Sequence, residues 1–192
     1  MKRLMAAAAA ASFAAVAADQ RFVEGAAQSP VRVVIYEDLQ CPDCANFRTM
    51  LDEKLLPRYG GTVAFEHHDF PLAKHAWARK AAIGARFLDE AKPGAGLAFR
   101  QFVMANLDNI NSNNFIPIFS DFAVQRGIGE SAAHAALADQ RLADLVEKDY
   151  QEGVARGIAR TPTVLINGRP FIETFTFEEV AKAIEAELAA AK

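Results

Sequence analysis

The only two cysteines of the chain stand as Cys41-Pro42-Asp43-Cys44, just after an apolar, β-branched run at residues 31–36 and a short polar link. The run suits a strand covered on both faces. Pro42 suits the first position of a helix, where its missing N–H costs nothing. The pair therefore falls at a strand-to-helix junction. A helix start presents unpaired N–H groups and the positive end of the helix dipole. A thiolate held there is stabilised, and its pKa drops below the free value of about 8.5. The thiolate is the species that attacks disulfides. Cys41 is expected to be the N-cap and the nucleophile. Cys44, almost one turn on and on the same face, is expected to be the more buried, resolving thiol.

Two other uses of such a pair compete. As a structural staple, a ring of about four residues would contribute only ~1.9 kcal/mol, against ~3 kcal/mol for a ring of about 15. As half of a zinc site, the pair lacks a third cysteine, and His67, His68, His75 and His134 lack the spacing that completes a finger. The reading therefore carries no metal. Its only redox group is the Cys41–Cys44 disulfide itself, with no organic cofactor.

A length of 192 residues, 52% hydrophobic and 23% charged, suits one well-filled core. The net charge of -3 comes without a basic cluster, which removes the electrostatic footprint of nucleic-acid binding. The first residues read differently. Lys2 and Arg3 precede a small-residue apolar stretch at 4–16, and Val16-Ala17-Ala18 offers a cleavage site before Asp19. About 13 apolar residues are too few to span a bilayer. Residues 1–18 are read as a signal peptide, which places the chain in the periplasm or outside the cell. Disulfides persist there.

Along the chain, Arg21-Phe22-Val23 is a candidate edge strand, and the strand at 31–36 leads to a helix over 42–58 closed by Gly60-Gly61. Residues 62–67 read as a second strand, returning parallel to the first. Residues 74–156 are helical in pattern throughout, with stripes such as Phe99, Phe102, Val103 and Phe115, Phe119, Phe122, and with a break near Asp139. Then 163–166, the Asn167-Gly168 turn and 170–172 form a hairpin, with Pro170 suited to an edge. Thr176 with Glu179 is a capping box that opens a last helix. His75 is expected to cap or pack at a helix start. His67 and His68 alternate across a strand, so one is expected to face solvent.

Strand, Cys41-Pro42-Asp43-Cys44, helix, and a hairpin opening with Arg160-Thr161-Pro162-Thr163 together resemble the thioredoxin superfamily. The helical insertion, with Phe70-Pro71-Leu72, His75 and an Ala-rich helix after it, is similar to the DsbA-like disulfide oxidoreductases. The resemblance implies an α/β thioredoxin fold over residues 19–192, in halves of about 30–72 and 157–192 with an all-helical insertion at about 73–156. It implies catalysis by Cys41 and Cys44, and a cis Thr161–Pro162 bond that presents backbone to substrate. Relatives often bury an acid six residues before the first cysteine; here that residue is Ile35. Glu37 and Asp38 stand nearer and are either substitutes or solvated loop carboxylates, so neither enters the expected site.

The implied activity is disulfide exchange with cysteine-containing protein substrates, chiefly as an oxidant of folding proteins. A reductase or isomerase is the alternative within the enzymes, and a peptide-binding or chaperone module without turnover is the alternative outside them. The resemblance further implies a membrane redox partner. The absence of heptads points to a monomer. Strong oxidants of the family carry His between the cysteines, whereas Asp43 opposes a neighbouring thiolate by like charge, so a milder oxidant is expected.

Overall fold

The computed structural model describes residues 22–191. The expected signal peptide at 1–18 lies outside the described residues, as does Arg21. Five strands, β1 (Phe22–Gly25), β2 (Arg32–Glu37), β3 (Ala64–Asp69), β4 (Thr163–Ile166) and β5 (Arg169–Ile172), form one sheet in the order β1-β3-β2-β4-β5. Only β2 and β3 run parallel, with Ile35 opposite His67 and Glu37 opposite Asp69. This is the expected β-α-β unit joined to a terminal hairpin. β1 and β5, the latter carrying Pro170, lie at the edges.

The connection between β2 and β3 is a rod made of α1 (Pro42–Met50), a π-helical turn (Leu51–Leu55) and α2 (Leu56–Tyr59). Pro57 has no N–H to give to a carbonyl four residues back, and the wider turn lets the chain continue past it. Five helices fill the insertion: α3 (Ala78–Ala91), α4 (Ala95–Ala105), α5 (Phe115–Val124), α6 (Glu130–Ala136) and α7 (Gln140–Ala155). The expected break falls where Asp139 caps α7, its carboxylate accepting the Arg141 N–H at 2.8 Å. The final helix, α8 (Phe177–Ala190), opens with the reciprocal Thr176–Glu179 box.

The two largest apolar clusters among the described residues lie on either side of the cysteine helix's start. Val33, Ile35, Phe65 and Val164 of the sheet pack on Phe47, Leu51 and Leu55 of the rod and on Val180 and Ile184 of α8. Phe99, Phe115, Phe119 and Phe122 build the core of the insertion, which runs on to Leu39, Cys41 and Cys44. Each such large side chain contributes roughly 1.5–3 kcal/mol by leaving water. The cysteine pair is thus packed against the insertion. No helix among the described residues is long and apolar enough to cross a membrane.

Three sequence expectations need correction. β3 starts at Ala64, because the Thr62 and Val63 N–H groups close a turn onto the Tyr59 carbonyl. His67 and His68 are both buried, since α7 and the insertion cover the face that an exposed sheet would leave to solvent. Glu37 and Asp38 are not solvated loop carboxylates; they are 2% and 1% exposed.

Candidate active site

Cys41 is the N-cap of α1, in extended backbone (φ -85°, ψ 124°), and its carbonyl takes the first helical bond from the Ala45 N–H. Pro42 and Asp43 fill the first turn, and Cys44 turns inward with no exposed surface. Both sulfurs are free thiols. The second half of the chain arrives as the loop before β4. Its Thr161–Pro162 peptide is cis, and the Thr161 carbonyl accepts from the Cys41 thiol at 3.4 Å. The Pro162 carbonyl is already bound by the Glu173 N–H at 2.8 Å. The four residues singled out in the sequence therefore lie together, although 120 positions separate Cys41 from Thr161.

The link between β2 and α1 is held from the insertion side. Asp38 Oδ1 accepts the Gln40 N–H at 2.7 Å, while Oδ2 accepts the Leu72 N–H at 2.7 Å and pairs with His75 Nδ1 at 2.8 Å. Gln40 Oε1 accepts the Trp77 N–H at 2.9 Å. His75 accordingly packs before α3, as expected, and its partner is an acid of the site loop. Burial pushes the Asp38 carboxyl up against the pull of the Leu72, Gln40 and His75 donors. The Asp38 backbone N–H points at the Cys44 sulfur, 3.4 Å away.

The two thiols are electrostatically unequal. The Cys44 thiol donates to Cys41, and with the Thr161 side chain and the N–H groups of Cys44 and Asp43 it brings Cys41 down to about 6 despite burial. Burial, together with the Cys41 sulfur and the charge of Glu37, raises Cys44 well above the usual thiol range. One sulfur is set up to be ionised and the other to keep its proton.

Behind Cys44 runs a chain of buried charges that the sequence reading missed. Glu37 Oε1 accepts from Arg100 Nη2 at 2.8 Å and pairs with His67 Nδ1 at 2.8 Å; His67 Nε2 meets Glu24 Oε1 at 2.8 Å. Arg100 also binds Asp69 at 2.5 Å, and Arg86 joins Asp69 at 2.7 Å to Asp149 at 2.6 Å. Burial alone would raise Glu37, but His67 and Arg100 outweigh it and hold the carboxyl far below its usual range. Against its own burial, Glu24 falls to about 2 through His67 and Arg48. His67 rises because Glu37 and Glu24 overcome its burial.

Ligand atoms of His68, Asp149 and Glu152 gather within 4.8 Å of one another. Arg86 already sits on Asp149, so a guanidinium meets the charge of that cluster. A groove of about 430 Å³ opens beside the cysteine helix. Phe47, Met50 and Phe175 give it apolar walls, and Asp43, Glu173 and Glu179 give it acidic ones.

Residues 17–186 match the family model described as Thioredoxin. The chain is 25% identical over 175 residues to the Na(+)/H(+) antiporter NhaA 3 of Salinispora tropica, covering 91% of this chain and 26% of that one. It spans about a quarter of the length of the curated relatives it matches. Among solved structures, oxidised BdbD from Bacillus subtilis superposes with a TM-score of 0.77 at 24% identity, over 87% of this chain and 92% of that one. Wolbachia pipientis alpha-DsbA1 gives 0.72 at 17% identity, over 90% and 95%. These two likenesses establish a DsbA-like arrangement of the fold, including the inserted helices.

Proposed function

The chain belongs to the thioredoxin family, and on that premise we propose that it is a thiol:disulfide oxidoreductase acting through Cys41 and Cys44, mainly as an oxidant of cysteines in folding proteins. The observation that carries this reading is the inequality of the two sulfurs at the start of α1. A substrate thiolate attacks the Cys41 sulfur of the Cys41–Cys44 disulfide, and Cys44 leaves and takes a proton. The substrate's second thiolate then attacks its own sulfur in the mixed disulfide, and Cys41 departs as the thiolate. The substrate loses two electrons and the enzyme pair gains them. A thiol of low pKa leaves faster, so a Cys41 value of about 6 favours this release.

The groove beside Asp43 would seat the substrate chain, with the backbone of Thr161 beside the reacting sulfur. A partner must return the pair to the disulfide. In keeping with the apolar leader at residues 4–16, we place the protein in the periplasm or outside the cell, acting as a monomer with a membrane redox partner. The test is oxidation of a reduced model protein. Wild type should accelerate it catalytically in a glutathione buffer, and Cys41→Ser should not. Equal rates with the two proteins would leave only a binding module.

A further inference from the structure

Glu37 sits at the last position of β2, one residue before the backbone N–H that meets the Cys44 sulfur. Its Oε1 is fully engaged by Arg100 and His67, whereas its Oε2 is buried with no hydrogen-bond partner among the described residues. An acid behind the second cysteine would ordinarily be a candidate to take that cysteine's proton. Here its surroundings argue against the exchange. Arg100 reaches it from α4, and His67 from β3; Asp69, opposite on β3, is neutralised by Arg100 and Arg86; Asp149 of α7 lies beyond Arg86, and Glu24 of β1 beyond His67. Protonating Glu37 would leave a guanidinium and a charged imidazole facing a neutral acid in a buried setting, which is a costly arrangement.

We propose that Arg100, supplied by the helical insertion, holds Glu37 as a fixed negative charge behind Cys44 instead of a base, and so prolongs the mixed disulfide at Cys41 by keeping Cys44 protonated. Arg100 and Glu37 are positioning residues in this scheme, which rests on the disulfide-exchange reading above. The step affected is displacement by Cys44. Its thiol gives a proton to solvent, its sulfur bonds to the Cys41 sulfur, and the bond from Cys41 to the substrate sulfur breaks. Cys44 is oxidised as the departing substrate sulfur is reduced to the thiolate. Slowing this step leaves time for the substrate's own second thiol to act, which favours oxidation of the substrate over its release in reduced form. The raised Cys44 and lowered Glu37 fit the geometry.

Reduced protein mixed with 5,5′-dithiobis(2-nitrobenzoate) tests it, because the coloured thiolate is released in two phases. Cys41 attack gives the first, and displacement by Cys44 gives the second. In wild type the second phase should climb about tenfold per pH unit from pH 6 to 9 without an earlier plateau. Glu37→Gln should speed the second phase at pH 7 by tenfold or more and leave the first phase within a few-fold of wild type. Arg100→Met, checked for folding by circular dichroism, should introduce an inflection below pH 9 as Glu37 becomes able to titrate. A second phase that is slower or unchanged in Glu37→Gln overturns the proposal, as does an inflection below pH 9 in wild type. Should Arg100→Met not fold, those two measurements decide. An unaltered profile in folded Arg100→Met removes Arg100 from the scheme and overturns it as stated. Failure of the underlying enzyme reading looks different: wild type itself would then oxidise no reduced protein.

Discussion

The Thr161 carbonyl accepts a hydrogen bond from the Cys41 thiol at 3.4 Å, joining two segments that lie 120 positions apart. The contact closes the site from the side of the hairpin, while the start of α1 closes it from the other. Cys41 consequently has fixed neighbours in either charge state: a carbonyl for its thiol, and the Cys44 thiol with two N–H groups for its thiolate.

Alkylation of the reduced protein by iodoacetamide should therefore titrate at Cys41 with a midpoint of about 6. Cys44, buried and held as a thiol, should stay unmodified through pH 9. Mass spectrometry of the labelled peptides separates the two. A Cys41 midpoint near 8.5, the free value, would mean that the helix start does not stabilise the thiolate.

The same shift makes the stability of the reduced protein depend on pH, and its sign is fixed. Cys41 titrates near 8.5 in the unfolded chain and at about 6 when folded. Its contribution to stability is complete above the unfolded value and is lost as pH falls through the folded one. The oxidised protein has no such thiols. Urea unfolding of both forms at pH 5.5 and pH 8 should show the reduced form gaining on the oxidised form at the higher pH. Parallel behaviour of the two forms would contradict the Cys41 assignment.

Asp43 follows the cysteine by two residues and lies exposed on the groove. Replacing its negative charge by a partly charged imidazole favours the thiolate, and hence the reduced pair. Asp43→His should raise the reduction potential by about 30 mV for each pKa unit by which Cys41 falls. Equilibration in glutathione buffers measures it. No change, or a wild-type potential already at the level of the strongest oxidants, removes Asp43 as the moderating residue.

The elements that the sequence made legible are those set by local chemistry. Pro42 after Cys41, Asp139 before α7 and the Thr176–Glu179 box each mark a helix start through neighbours within four residues. The Thr161-Pro162 pair became meaningful only through resemblance, since nothing local ties it to Cys41. What stayed hidden depends on partners far along the chain: Glu37 meets Arg100 across 63 positions, and Asp69 meets Arg86 across 17. A signal was nonetheless present. Glu66-His67-His68-Asp69 is a polar run inside a strand flanked by two others, and Arg100 shares a helical stripe with Phe99 and Val103. Charges in such places call for buried partners of opposite sign.

Asp38 is the brace of the site loop, and its loss should be felt twice. Asp38→Ala deprives the Leu72 and Gln40 N–H groups of their acceptor, at about 1–3 kcal/mol for each one left buried and unpaired. It also frees the link that aims Cys41. Urea unfolding should show a loss of about 2–4 kcal/mol. The first phase of the chromogenic disulfide reaction should slow as well. Asp38→Asn, which keeps one acceptor oxygen but turns an NH2 toward the other N–H, should recover only part of the stability. If Asp38→Ala is as stable and as reactive as wild type, the loop is held by other means.

Arg86 tests whether the ion chain holds the insertion to the sheet. It reaches from α3 to Asp69 on β3 and to Asp149 on α7, all three side chains being buried. Arg86→Met leaves Asp149 with only the His68 imidazole, 3.7 Å away, and Asp69 with Arg100 alone, so a loss of about 3–5 kcal/mol is expected, as for a broken buried pair. Most of that loss reflects an uncompensated charge and not a missing contact. Adding Asp149→Asn should therefore restore more than half of it, since the amide oxygen still accepts the Asp69 N–H that Asp149 binds at 3.0 Å. Urea midpoints of wild type, both single variants and the double variant give the coupling directly. Additive losses would show that Arg86 serves through packing, and that the charges of α3, β3 and α7 do not act as a unit.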